Sequence, residues 1–194
     1  MYTQTKTNGY SLVEVLVAIA ILLLALVGPM TIAAKGIQSA SYVSEQTVAI
    51  FLAQEGLEAF TAARNDATIA AFAIPDLSQS WDWASDGTID ASCFTANGCN
   101  LEYTNTTPMN TIVGCGVGGA GCELYFDDTN PNDRARYSLD SGNTATSYTR
   151  VIKVTSIQGG KGLQVESTVY WNTRLFSSQE QSVTLTSSLF SIYE

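Results

Sequence analysis

Residues 12–34 read LVEVLVAIAILLLALVGPMTIAA, and Glu14 is the one charged residue among them. At about 1.5 Å per residue this run is ~35 Å long as a helix, enough to cross a hydrocarbon core of about 30 Å. A cleaved secretory signal has a shorter apolar core without an acid near its start, and an A-x-A-like ending, which this run lacks. The buried helix of a soluble domain seldom stays apolar on every side for six turns. The run reads as a membrane span.

Outward from the span, the chain of 194 residues is acidic, with 9 Lys+Arg against 18 Asp+Glu and a net charge of −9. Charged residues make up 14% and apolar residues 45%, and there is no histidine. The missing histidine excludes Ser-His-Asp and Cys-His nucleophile pairs and His-liganded zinc. No acid pair or other nucleophile–base set stands out, so the expectation is a protein that is not an enzyme and takes no cofactor. The acidic balance disfavours sequence-independent DNA binding, which rests on neutralising phosphates. Arg134, Arg136, Arg150, Lys153, Lys161 and Arg174 are read as dispersed over the surface among acids, giving no clear nucleic-acid site.

Lys6 and Lys35 flank the span on either side, so basic residues barely orient it. Cys93, Cys99, Cys115 and Cys122 orient it better. An even count within thirty residues, among Gly, Asn and Thr, reads as disulfides in an oxidising compartment, which puts the N-terminus in the cytoplasm. The C-x5-C-x15-C-x6-C spacing lacks the close pairs of a zinc site. Of three possible pairings, the local loops 93–99 and 115–122 are favoured.

Glu14 costs about 2.5–3.5 kcal/mol within a span on insertion scales, so a partner is expected unless it merely reaches back to the interface. The residues around it, Lys6-Thr7-Asn8-Gly9-Tyr10-Ser11-Leu12-Val13-Glu14, closely resemble the prepilin-type cleavage and methylation motif of type IV pilins and type II secretion pseudopilins. The resemblance implies cleavage by a prepilin peptidase between Gly9 and Tyr10 and N-methylation of Tyr10. Tyr10 departs from the usual Phe at this place. Glu14 is then the fifth mature residue, and it pairs with the amine of a neighbouring subunit to set register, a well-attested use of a buried ion pair.

Residues 37–66 read IQSASYVSEQTVAIFLAQEGLEAFTAARND, in which Ile37, Ala40, Val48, Phe51, Leu52, Leu57 and Phe60 form a moderate apolar stripe. Glu45, Glu55, Glu58 and Arg64 take other faces, and Gly56 permits close packing. One helix over 11–65 follows, with a kink or local unwinding at Gly28 and Pro29. Its second half docks a head.

The head is rich in Thr, Ser, Asn, Gly and Asp. Residues 123–126, ELYF, read as a short strand. The segments 148–157 (YTRVIKVTSI), 163–171 (LQVESTVYW) and 181–192 (QSVTLTSSLFSI) read as an antiparallel meander. Val151, Val165 and Leu185 are expected on the face that packs against the helix. Trp81 and Trp83 read as packing residues, and Asn105-Thr106-Thr107 is formally a glycosylation sequon. Asp128, Asn130 and Asn132 place oxygens at alternate positions, a weak calcium-loop candidate without the required Gly and Glu.

The expected fold class is α+β and pilin-like. The domains are a leader at 1–9, a membrane or filament-core half-helix at 10–34, an amphipathic half at 35–66 and a head at 67–194. The 53–66 stretch (AQEGLEAFTAARND) and the meander also resemble minor pilins of the type IV pilus modification group. The implied protein is a minor pilin, first single-pass in the cytoplasmic membrane and then in an extracellular filament. The implied partners are prepilin peptidase, other pilin subunits, the inner-membrane assembly platform and membrane lipid. A minor pseudopilin of type II secretion is the near alternative, and a membrane-tethered adhesin is one of another class.

Overall fold

Helix-forming residues and the absence of any Gly-Pro break strong enough to stop it carry helix α1 from Leu12 to Phe72, with Pro29 inside it. The computed structural model describes residues 9, 11–72, 89, 91–103, 110–128, 136–160, 162–173 and 180–190. The chain divides into two compact units, Met1–Ser44 and Glu45–Glu194.

In the first unit, helical assignment is continuous across Gly28 and Pro29. Pro29 has no N–H to offer the carbonyl one turn back. The carbonyl left without that donor is Ala25's, and just beyond it Thr31 Oγ1 donates to the Gly28 carbonyl at 2.8 Å. The apolar side chains point outward all round, from Leu12 at 76% exposed to Ile32 at 74%.

Among the described residues the second unit holds a seven-stranded sheet. Its strands are β1 (Cys99–Tyr103), β2 (Asn110–Gly114), β3 (Glu123–Asp127), β4 (Arg136–Ser138), β5 (Thr144–Ile157), β6 (Gly162–Asn172) and β7 (Glu180–Phe190). Strands β5, β6 and β7 form the antiparallel meander, in register from Tyr148↔Trp171 to Ile157↔Gly162 and from Gly162↔Phe190 to Asn172↔Glu180. The β5–β6 turn is tight, with Gln158 at φ 53° and Gly159 at φ 70°. The second position takes left-handed backbone without a Cβ penalty. The other edge of β5 is shared by two hairpins. The β3–β4 pair lies along its first half, and β1–β2 meets it at Cys99↔Ile152.

The α1 residues of this unit bury Ala49, Leu52, Ala53, Ala59 and Phe60, a stripe at helical spacing. Ala59 and Phe60 share a core with Ile89, Leu101, Ile152, Val154, Leu163, Val165 and Leu189. Some readings of the sequence need correction. Ile37 and Phe51, expected in the stripe, are 71% and 64% exposed, and within 49–60 the small residues between the large ones make the contact instead. Val151, expected beside Val165 and Leu185, lies on the opposite face.

The register explains the second correction. Ile152 pairs with Ser167, which pairs with Leu185, whereas Val151 pairs with Thr168. Side chains alternate strictly along a strand, so one residue changes the face. Val151 packs with Cys115, Cys122 and Tyr170 in a second small core. Strand β5 is covered on both faces, and alternation cannot tell them apart.

Candidate functional site

Gly9 is exposed, and a Cβ added there would meet nothing within 4 Å. Tyr10, the expected first mature residue, lies outside the described residues, so the cleavage junction is placed on one side only. Ser11 leads into the helix, and its carbonyl accepts the Val15 N–H at 3.2 Å. Glu14 follows in the first turn, where the helix dipole favours a negative charge. Residues 12–66 are long and apolar enough to cross a membrane, and none of the most apolar window is buried. A carboxylate is thus carried on an uncovered apolar rod, one turn from its start.

The head contains a polar centre of its own, around Arg150. This residue is 2% exposed. Its Nε donates to Asn100 Oδ1 at 2.8 Å, its Nη1 to the Leu52 carbonyl at 3.1 Å and its Nη2 to the Leu101 carbonyl at 2.7 Å. Glu55 Oε2 lies 3.3 Å from Nη1 and supplies the countercharge from a half-exposed position. Burial lowers the guanidinium pKa, while Glu55 and, more weakly, Glu102 oppose that shift. Fully buried Asn100 donates from Nδ2 to the Cys122 carbonyl at 3.3 Å and accepts the Leu101 N–H at 2.9 Å. One guanidinium therefore joins helix, β1 and β5, and Asn100 extends the network to the Cys115–Cys122 loop.

The sequence does not mark this network, and Arg150 reads there as a surface cation. Arg150 and Lys153 occupy opposite faces of β5, and each is flanked by Val or Ile. Nothing in the pattern marks which cation is inside. Gly56 makes the arrangement possible. A Cβ there would stand 2.7 Å from Ser167 Oγ and 3.1 Å from Arg150 Cδ.

The disulfides are Cys93–Cys99 and Cys115–Cys122. Of the calcium candidates, Asp128 is exposed, and Asn130 and Asn132 lie outside the described residues. Among the described residues no group of three or more His, Cys, Asp or Glu is arranged to hold a metal ion. Of the six cations considered for nucleic acid, Arg134, Lys161 and Arg174 lie outside the described residues, as do Trp81, Trp83 and the sequon at Asn105. Of the other three, Arg136 lies 4.0 Å from Asp127, and Arg150 is inside.

Residues 4–28 match the family model for the prokaryotic N-terminal methylation motif. Over this stretch the chain is similar to precursors of the type IV pilin and pseudopilin kind. No curated protein and no solved structure matches the chain.

Proposed function

We propose that the chain is the precursor of a structural subunit, a minor pilin of a type IV pilus. A prepilin peptidase cuts between Gly9 and Tyr10 and methylates the new amine of Tyr10. The apolar half of α1 holds the subunit in the cytoplasmic membrane until an assembly platform transfers it into a filament. There, Glu14 meets the amine of a neighbouring subunit.

The observation that carries the reading is the methylation motif over residues 4–28, coupled to an apolar run, residues 12–34, whose only acid is Glu14. A simple anchor requires neither Gly9 nor an acid at this place. Removing both charges from water is costly, and pairing them across a subunit boundary offsets that cost in one register only. Buried Arg150 and two disulfides support a head whose part is to hold shape outside the cell, not to catalyse.

The test is the N-terminal mass of the protein recovered from cells. A start at N-methylated Tyr10 is expected, together with recovery in sheared filaments. An intact Met1, or a cut after Ala34, overturns the proposal. Methylated protein found only with a secretion complex assigns it to a type II pseudopilus instead.

A further inference from the structure

The two disulfides are held in different ways. Cys93 and Cys99 lie in the main core with Ala59, Phe60, Leu101 and Ile152, and Cys99 pairs with both Gly114 and Ile152 across the sheet. Cys115 and Cys122 sit in the smaller core with Val151, against which Tyr170 packs. Between them stands Gly116-Val117-Gly118-Gly119-Ala120-Gly121, in which three of the four glycines take positive φ. Just beyond Cys122, the β3–β5 ladder shifts register between Glu123 and Tyr125. Without its sulfur bond, so glycine-rich a loop regains much of its freedom.

The second disulfide is also joined to the helix. The Cys122 carbonyl accepts Asn100 Nδ2 at 3.3 Å, and Asn100 Oδ1 accepts Arg150 Nε at 2.8 Å. Arg150 Nη1 then donates to the Leu52 carbonyl at 3.1 Å. All four residues are buried, so water does not readily replace a lost bond, and a displacement at one end is felt at the other. Cys115 is the end that a reagent reaches. It is 8% exposed, whereas Cys93, Cys99 and Cys122 are fully buried, and no side chain in its loop is larger than valine.

From the accessible cysteine and the buried path together, we propose that Cys115–Cys122 is a thiol–disulfide exchange site that latches residues 52–56 of α1 onto the sheet. Its partner is a protein of the thiol–disulfide oxidoreductase class. In closing, the Cys115 thiolate attacks the partner's disulfide, and one partner sulfur leaves as a thiolate. The Cys122 thiolate then attacks Cys115 Sγ in the mixed disulfide and expels the second partner sulfur. Two electrons pass to the partner, whose departing thiolates take up the two protons that the cysteines lose. A reduced partner runs the same steps backwards. In the dithiol form the loop no longer fixes the Cys122 carbonyl, and the hold of Asn100 and Arg150 on the Leu52–Gly56 turn weakens. The device lies within the Glu45–Glu194 unit and is independent of the processing of Gly9.

The test treats the full chain in detergent micelles with reduced thioredoxin. Free thiols are trapped with iodoacetamide and located by mass, and hydrogen exchange is followed at the amides of residues 53–56. Cys115–Cys122 is expected to open while Cys93–Cys99 stays closed, and exchange at those amides to rise about tenfold. Cys115→Ser together with Cys122→Ser gives the same rise without reductant. In Arg150→Met, shown to be folded by circular dichroism, exchange there is already fast and opening the disulfide adds nothing. Asn100→Leu breaks the path at a second point and gives the same non-additivity. The proposal is overturned if thioredoxin leaves Cys115–Cys122 closed or opens Cys93–Cys99 first. It is equally overturned if the acceleration stays within residues 113–124, spreads evenly over the head, or is undiminished in Arg150→Met and Asn100→Leu.

Discussion

Arg150 donates to the carbonyl of Leu52 at 3.1 Å, so a strand side chain bonds to the backbone in the middle of a helix. In an α-helix that carbonyl is already the acceptor of the N–H four residues on, here Gly56. The same glycine that supplies the helical bond also leaves the space through which the guanidinium enters. Close approach and buried charge are one arrangement.

Replacing the glycine tests the close approach. Gly56→Ala places a methyl 2.7 Å from Ser167 Oγ and 3.1 Å from Arg150 Cδ. Overpacking of this kind costs about 1–3 kcal/mol. Urea denaturation of the full chain in micelles measures it. Adding Ser167→Ala removes the closer contact and is expected to recover part of the loss.

Arg150→Met leaves Asn100 Oδ1 and two carbonyls without their charged donor. A buried acceptor left without its donor costs about 1–3 kcal/mol, whereas half-exposed Glu55 regains water in place of the guanidinium. Arg150→Lys is expected to recover little, because an ammonium cannot reproduce the guanidinium fork that reaches three elements. Denaturation midpoints of the two variants check this, and a lysine variant close to wild type would contradict it.

Ser in place of both Cys115 and Cys122 opens a loop with a sequence separation of 7. Chain entropy alone predicts a loss of about 2–3 kcal/mol. The Cys122 carbonyl also accepts from Asn100 and from the Arg150 N–H, at 3.3 and 3.1 Å. Hydrogen exchange is therefore expected to accelerate at Leu101 and Arg150 as well as in the loop.

Tyr148 donates its hydroxyl to the Glu45 carbonyl at 3.2 Å. Burial first, then Tyr137 and Glu45, raise its pKa to about 12 from 10.0. The neutral phenol is the form that fits the fold. Its contribution is complete below pH 10 and declines as pH rises from there through about 12, because the unfolded chain ionises first. Tyr148→Phe is expected to remove that alkaline dependence and to cost about 1 kcal/mol near neutral pH. Denaturation between pH 8 and pH 12 reads both.

Glu14→Ala is expected to leave cleavage after Gly9 intact and to reduce incorporation into filaments severely. Cleavage is read by mass and incorporation by shearing. Normal incorporation of the variant would sink the register role proposed for Glu14.

The large features were legible in the sequence because each is a run. The apolar span, the helix beyond it and the three strands of the meander all show in unbroken patterns of hydrophobicity. What escaped depends on single residues. Leu52 and Phe60 read correctly as docking residues, but Phe51 falls into the same loose stripe by size although its angle on the helix turns it to solvent. Ala49, Ala53 and Ala59 carry little hydrophobic signal, yet their smallness lets the helix reach the sheet. Val151 and Ile152 are adjacent and both buried, so only the register assigns their faces. Arg150 and Lys153 have the same pattern around them and opposite surroundings. Distant elements created the Arg150 centre, and no local window contains them.

The bond from Tyr148 spans 103 residues of chain, and that from Arg150 to Leu52 spans 98. Neither can close until the fifth strand exists, whereas each turn of the meander joins neighbours in sequence. Contacts between distant residues are slow to form, and local hairpins are fast. As the chain emerges from the N-terminus, the docking stripe at residues 49–60 must therefore wait with its alanines and Phe60 uncovered. The last third to arrive completes the head, and any early truncation leaves that stripe without its sheet.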